Sequence, residues 1–151
     1  MMPLTIAMLI AHGITSVILL GGLTHQVATS IRCRRAPGRF FIHYQAVNGM
    51  VMSNAIVVAY LATFVLGTLI YPAYRLDVRI ALVEMQLPWA IGLFEVKEHW
   101  AAIGLASLPL YRDLWLNSHD STGRTVLTVL LASVVWFNFV VGHLLNNLRG
   151  L

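Results

Sequence analysis

The sequence predicts an all-α fold: a transmembrane four-helix antiparallel bundle that forms one domain over residues 1–151. Hydrophobic residues make up 58% of the chain and charged residues 11%, whereas a soluble domain has about 25% charged residues. Four apolar runs, at about 4–31, 43–71, 89–111 and 124–148, each reach the roughly 20 residues that a helix needs to cross a bilayer. A helix also satisfies its own backbone polar groups, as lipid requires.

Short charged or proline-containing segments separate the four runs. The segment 32–39 combines arginines with proline and glycine, and is expected to end the first helix. Pro72 is expected to end the second helix, and Asp120 or Ser121 is placed to cap the fourth. The stretch 78–88 allows two interpretations, a short helix lying in the membrane interface or the first turns of a long third helix.

The basic residues follow the pattern of membrane loops. Six arginines fall in the first and third loops, and three fall in the second loop and at the C terminus. By the positive-inside rule this predicts that both termini lie outside the cytoplasm, in what we expect to be a bacterial inner (cytoplasmic) membrane. The net charge of +4 is therefore not a sign of nucleic-acid binding, which needs a basic face on a folded module. The expected partners are the lipid bilayer and other membrane subunits.

The histidines are the first candidates for a functional site. Antiparallel packing places His12, His99 and His143 in the outer half of the bundle, and His25 and His43 toward the inner side. Imidazole is the usual axial ligand of b-type haem, and helix bundles build cofactor sites from facing helices. We therefore predict that His12, with His99 or His143, binds haem iron, while His25 and His43 form a second cofactor site. The plainer alternative is that each histidine hydrogen-bonds a neighbouring helix or a lipid headgroup.

A charged segment near the start of the third run is the second candidate. It places three formal charges and an imidazole within five residues, and ionisable groups inside a membrane are costly and often functional. At 100° per residue, Glu95 and Glu98 share a face with His99, whereas Lys97 points nearly the opposite way. We predict that the two glutamates handle protons, and that Lys97 or Arg75 offsets the charge of a haem propionate. The alternative is an interfacial ion cluster in which Lys97 reaches the headgroups.

Two stretches of the sequence also resemble a known family. They are His12-Gly13-Ile14-Thr15-Ser16-Val17-Ile18, continuing through Leu19-Leu20 to Gly21-Gly22-Leu23, and Val96-Lys97 entering an aliphatic run. With four helices, this layout resembles the HemJ-type protoporphyrinogen oxidase and CopD-like group of membrane proteins. The resemblance implies bound b-type haem, His12 as an axial ligand or active-site residue, and Lys97 acting beside it. Leu19 stands where the group often has tryptophan, and Glu95, Glu98 and His99 are outside its pattern.

The predicted function is a small membrane subunit that binds haem b and passes electrons, with quinone as a candidate electron partner. No Cys-x-x-Cys-His motif, glycine-rich phosphate loop, zincin motif or Gly-x-Ser-x-Gly elbow points to other chemistry. Two alternatives stay open. One is a non-catalytic accessory subunit of a larger membrane complex, and the other is a HemJ-like membrane oxidase.

Overall fold

Helices account for almost all of the protein that the computed structural model describes, which is residues 3–32, 47–117 and 121–148. The elements are α1 (Pro3–Arg32), α2 (Gly49–Ala73), α3 (Arg79–Glu84), α4 (Pro88–Leu116) and α5 (Ser121–Leu148). A π-helical turn, Tyr74–Val78, joins α2 to α3 in one continuous rod. The four rods confirm the predicted all-α four-helix fold.

Three of the rods are long and apolar enough to cross a membrane: Pro3–Ile31, Gly49–Glu84 and Ser121–Leu148. The chain is therefore a membrane protein. Helix α4 is of similar length, with 29 residues, but carries five charged side chains. Helix α4 extends past the C-terminal end of the third predicted run, 89–111. Helix α5 begins three residues before residue 124, the predicted start of the fourth run.

The four long helices form a closed ring. Helix α1 packs against α2 and α5, and α4 packs against the same two neighbours from the other side. The largest buried cluster lies along the axis and includes Leu19, Leu23, Ile56, Tyr60, Leu108, Tyr111 and Leu131. Large apolar side chains cover the outer surface instead of being hidden, as expected for helices surrounded by lipid rather than water.

The second helix differs from its predicted span at both ends. Within the described residues it begins at Gly49, because the Asn48 side chain caps it by accepting a hydrogen bond of 2.9 Å from the Met50 backbone N–H. The predicted start at 43 lies outside the described residues. The prediction that Pro72 ends the helix is wrong. A proline removes one backbone donor and crowds the preceding turn, but the chain stays helical through Pro72 and continues into the π-helical turn.

The interpretation of the stretch 78–88 as the first turns of the third helix is wrong, because its helical part, α3, is a short helix that continues the second rod. The rod ends in a Schellman motif: the Leu87 N–H bonds to the Leu82 carbonyl and the Gln86 N–H bonds to the Val83 carbonyl, each at 3.0 Å. Gln86 has φ 56°, a conformation that usually selects glycine. With no glycine at this position, the sequence lacks the usual C-terminal glycine signal, and Pro88 is the remaining indication of a helix end. Pro88 then starts α4.

Candidate functional site

A cavity lies between the four long helices, toward the end of the bundle that holds Pro3 and Leu148. It has a deeper lobe of about 260 Å³ and a lobe of about 370 Å³ closer to that end. We call the two lobes together the His12 cavity, because they share eight lining residues, His12 among them. The shared residues are His12, Ser16, Gly67, Tyr71, Phe94, Lys97, Asn138 and Phe139.

His12 is held in one orientation by helix α2. Its Nδ1 atom lies 2.9 Å from the backbone carbonyl oxygen of Thr63. A carbonyl oxygen accepts hydrogen bonds, so Nδ1 carries the proton and the neutral ring keeps a free lone pair on Nε2. Gly67 makes room for the ring, because a Cβ atom there would lie 3.2 Å from the Cε1 atom of His12.

Lys97 enters the cavity from α4. Its Nζ atom lies 5.1 Å from the centre of the Phe94 ring. Its aliphatic stem runs past Gly142, where an added Cβ atom would stand 3.5 Å from the Cε atom of Lys97. The ammonium group is within electrostatic range of both His12 and Glu98. The cavity therefore combines a fixed imidazole with a positive charge in surroundings that screen charge poorly.

Asn138 on α5 supplies a polar group that the sequence analysis missed. Its Nδ2 atom donates a hydrogen bond of 2.7 Å to the Val134 carbonyl. Its Oδ1 atom is buried and has no hydrogen-bond partner within the described part of the chain. An acceptor in this state is available to a donor on a bound molecule. One amide within the run Val-Val-Trp-Phe-Asn-Phe-Val-Val was the signal that could have identified it.

Aromatic rings form one wall of the cavity. The Tyr74 and Phe94 rings stack with their centroids 3.5 Å apart, and the Tyr71 ring lies 6.3 Å from that of Phe94. Arg75 is exposed beyond this wall and donates a hydrogen bond of 3.2 Å to the Tyr71 hydroxyl. The wall offers a flat apolar surface to a ligand, and Arg75 lies behind it rather than within the cavity.

Four of the predicted site residues line the His12 cavity. His12 and Lys97 line both lobes, Glu98 lines the deeper lobe, and His143 lines the other. His143 is exposed, so it lies at the mouth of the cavity. His12 on α1 and His143 on α5 thus line the same lobe, together with Lys97 on α4.

The remaining predicted residues lie elsewhere. Glu95 and His99 are exposed on the outer side of α4, where the Nδ1 atom of His99 lies 2.7 Å from the Glu95 carbonyl oxygen. His25 is half-buried on α1, nearer the opposite end of the bundle. His43 lies outside the described residues. Within the residues described, no three histidine, cysteine, aspartate or glutamate side chains form a group that could hold a metal ion.

Polar side chains near the opposite end of the bundle belong to the packing rather than to the cavity. The Trp115 indole N–H donates a hydrogen bond of 3.1 Å to the Thr128 hydroxyl. The guanidinium of Arg124 lies 4.9 Å from the centre of the Trp115 ring. These contacts join the end of α4 to the start of α5.

We compared the chain with protein-family models, with curated proteins and with solved structures, and none of the three comparisons found a match. The function is therefore inferred from the chemistry of the His12 cavity.

Proposed function

We propose that this protein binds haem b in the His12 cavity and takes part in electron transfer within the membrane. The observation that supports it most is the hydrogen bond between His12 Nδ1 and the Thr63 carbonyl oxygen, at 2.9 Å. A histidine that binds a metal through one ring nitrogen commonly donates from the other to a backbone carbonyl, which sets its tautomer and orientation. His12 has this arrangement with Nε2 available as the iron ligand.

The other cavity residues suit the rest of such a molecule. Lys97 would pair with a propionate, the stacked ring of Phe94 would lie against the porphyrin, and His143 at the mouth would offer a second imidazole. The two lobes, about 260 and 370 Å³, fall near the lower end of typical ligand pockets. A porphyrin would be held by residues of both lobes.

Haem would supply one-electron chemistry, and the residues of this chain would control its surroundings. Glu98 lines the deeper lobe and interacts with Lys97, so we assign to it the proton transfer that accompanies electron exchange with a quinone. Glu95 faces away from the cavity and takes no part in this proposal. The arginine distribution supports placing the His12 end outside the cytoplasm, in a bacterial inner membrane.

The direct test is a reduced-minus-oxidised absorption spectrum of the purified protein, after expression with ample haem. We expect the bands of a b-type haem, with a pyridine haemochrome assay giving the number of haems per chain. A protein without these bands would refute the proposal. A non-catalytic accessory subunit of a larger membrane complex would then be the better interpretation.

Substitution then assigns the ligand. His12→Ala is expected to remove or strongly weaken the haem bands, because no other side chain replaces the Nε2 ligand. His99→Ala is the matched control, since His99 is exposed on the outer side of α4. Bands that stay unchanged in His12→Ala would exclude His12 as the ligand. Equal loss in both variants would point to a folding defect instead of ligation.

A HemJ-like oxidase is the enzymatic form of the same proposal. It is favoured by one observation: His12 and Lys97, the two residues that the family resemblance singles out, line the same cavity. Oxidation of protoporphyrinogen by membranes containing the protein would test it. We expect Lys97→Met to abolish that activity while leaving His12 in place. A wild-type protein that contains haem but does not oxidise protoporphyrinogen would leave electron transfer as the function.

A further inference from the structure

The outward side of α4 carries a regular seam of exposed residues. They are spaced alternately three and four positions apart, which places them along one line of a helix that a second helix can follow. The seam, which we call the α4 seam, consists of Gly92, Glu95, His99, Ala102, Ala106, Pro109 and Asp113, all exposed. Helix α4 packs against α2, α3 and α5, and the exposed seam lies on its other side. Of the seam residues, Glu95 is within electrostatic range of Tyr74 and Arg75.

Two ionisable members of the α4 seam, Glu95 and His99, lie within the first four turns of the helix. At 1.5 Å per residue, Glu95 is about 10 Å and His99 about 16 Å from the start of α4. Both side chains face outward, where a membrane would surround them with acyl chains over about 30 Å of thickness. Ionisable side chains facing hydrocarbon are costly, and they normally face a protein partner or water. The seam thus needs a polar partner.

The local geometry leaves the reactive atoms of this pair available. The His99 Nδ1 atom is engaged by the Glu95 carbonyl oxygen of its own helix, at 2.7 Å. The Nε2 atom therefore remains for a partner. The Glu95 carboxyl group makes no hydrogen bond within the described residues, and Arg75 is the cationic side chain within its electrostatic range. A carboxyl group and an imidazole can form a hydrogen bond through one shared proton, whichever group holds it. The two groups are therefore complementary inside a membrane.

We infer that the α4 seam is the interface between two copies of this chain, related by a twofold axis along the membrane normal. In such a pair the two Glu95 side chains lie in one layer of the interface and the two His99 side chains lie in the next, so each His99 can reach Glu95 of the partner subunit across one helical turn. The pair is complementary to itself, which favours a second copy over an unrelated partner. The small side chains at Ala102 and Ala106 let the two backbones approach closely.

Cysteine cross-linking in native membranes tests this interface. In a Cys33→Ser background, Ala102→Cys and Ala106→Cys are expected to form disulfide-linked dimers of twice 16.8 kDa. Val58→Cys is the control, because Val58 is 65% exposed on α2 and away from the seam. Absence of dimers at both seam positions, or equal dimers at Val58, would overturn the inference. A cross-linked product containing a different protein would also overturn it.

A charge exchange tests the role of the pair. Glu95→His removes the carboxyl group beside His99 from both copies and is expected to lower co-purification of two differently tagged copies at least fivefold. The double variant Glu95→His with His99→Glu restores a carboxyl group opposite each imidazole and is expected to recover co-purification. An unaffected single variant would refute the pairing. Circular dichroism of each variant distinguishes loss of the dimer from loss of helical structure. If the single variant is misfolded, the cross-linking result decides whether the inference holds.

This inference does not depend on haem. The α4 seam and the His12 cavity lie on different sides of the protein, so cross-linked dimers without haem bands would support the seam and refute the proposed function. Haem bands without dimers would do the opposite.

Discussion

The Tyr111 hydroxyl donates a hydrogen bond to the side-chain oxygen of Gln26, and this bond links α4 to α1 across the centre of the helix ring. Both residues are buried, at 0% and 2% exposure. The amide of Gln26 also approaches the Gly49 carbonyl oxygen, at 3.5 Å. One buried polar contact therefore ties together helices that do not otherwise pack side by side, and it sets the relative depth of α1 and α4.

Tyr111→Phe is expected to lower the free energy of unfolding by about 1–2 kcal/mol, because it leaves the buried Gln26 oxygen without its donor. Adding Gln26→Leu removes the stranded acceptor and is expected to recover part of that loss. Unfolding in mixed micelles, followed by circular dichroism, measures both. A double variant less stable than Tyr111→Phe alone would show that Gln26 stabilises the bundle through other contacts.

Gly104→Ala is expected to destabilise the bundle by about 1–3 kcal/mol, the usual cost of overpacking a core. Gly104 is buried directly against the Tyr60 hydroxyl, which donates a hydrogen bond of 2.8 Å to the Ala101 carbonyl oxygen. Tyr60→Phe in the same chain should relieve some of the clash, so the double variant should be more stable than the sum of the two single effects predicts. Additive effects would contradict this contact.

Gly67→Leu is expected to weaken haem binding about tenfold or more, as changes around a metal ligand commonly do. The added side chain would push against the His12 ring, which already lies 3.2 Å from the place of a Cβ atom at Gly67. Gly21→Leu is the matched control, because no atom lies within 4 Å of a Cβ atom there. Haem titration into the haem-free protein measures both. Equal affinities would exclude the His12 cavity as the binding site.

Lys97→Met should weaken haem binding about tenfold by removing the charge-assisted partner of a propionate. The same substitution should have little effect on the binding of haem dimethyl ester, which has no free propionates. The comparison uses absorbance titrations of both ligands into the wild-type protein and the variant. An equal loss for the two ligands would mean that Lys97 acts on the shape of the cavity and not on a carboxylate.

Labelling with a membrane-impermeant thiol reagent should place Cys33 and Asn117 on one side of the membrane and Met85 on the other. Cys33 is the native cysteine, and Asn117→Cys and Met85→Cys are made in the Cys33→Ser background. Met85 and Asn117 flank α4, so opposite labelling shows that this charged helix crosses the bilayer. Labelling of both from the same side would reduce the number of spans to three.

The sequence identified several residues of the cavity by their type, but it did not show that they lie together in one site. His12, Lys97, Glu98 and His143 were predicted from their charge or imidazole within apolar runs, and they line one cavity. The contributions of Thr63 and Gly67 could not be predicted. Thr63 acts through its backbone carbonyl, which every residue has, and Gly67 acts through the absence of a side chain opposite a ring on another helix.

The sequence by itself determined that the chain forms four long helices and lies in a membrane, because apolar runs of this length and the need to satisfy backbone polar groups leave few other folds. It did not determine the end of the second rod, where Gln86 adopts a glycine-like conformation that neighbouring contacts hold. Nor did it determine which face of α4 points inward. Helical periodicity separates Lys97 from Glu95 and His99, but packing against α2 and α5 decided that Lys97 faces the cavity.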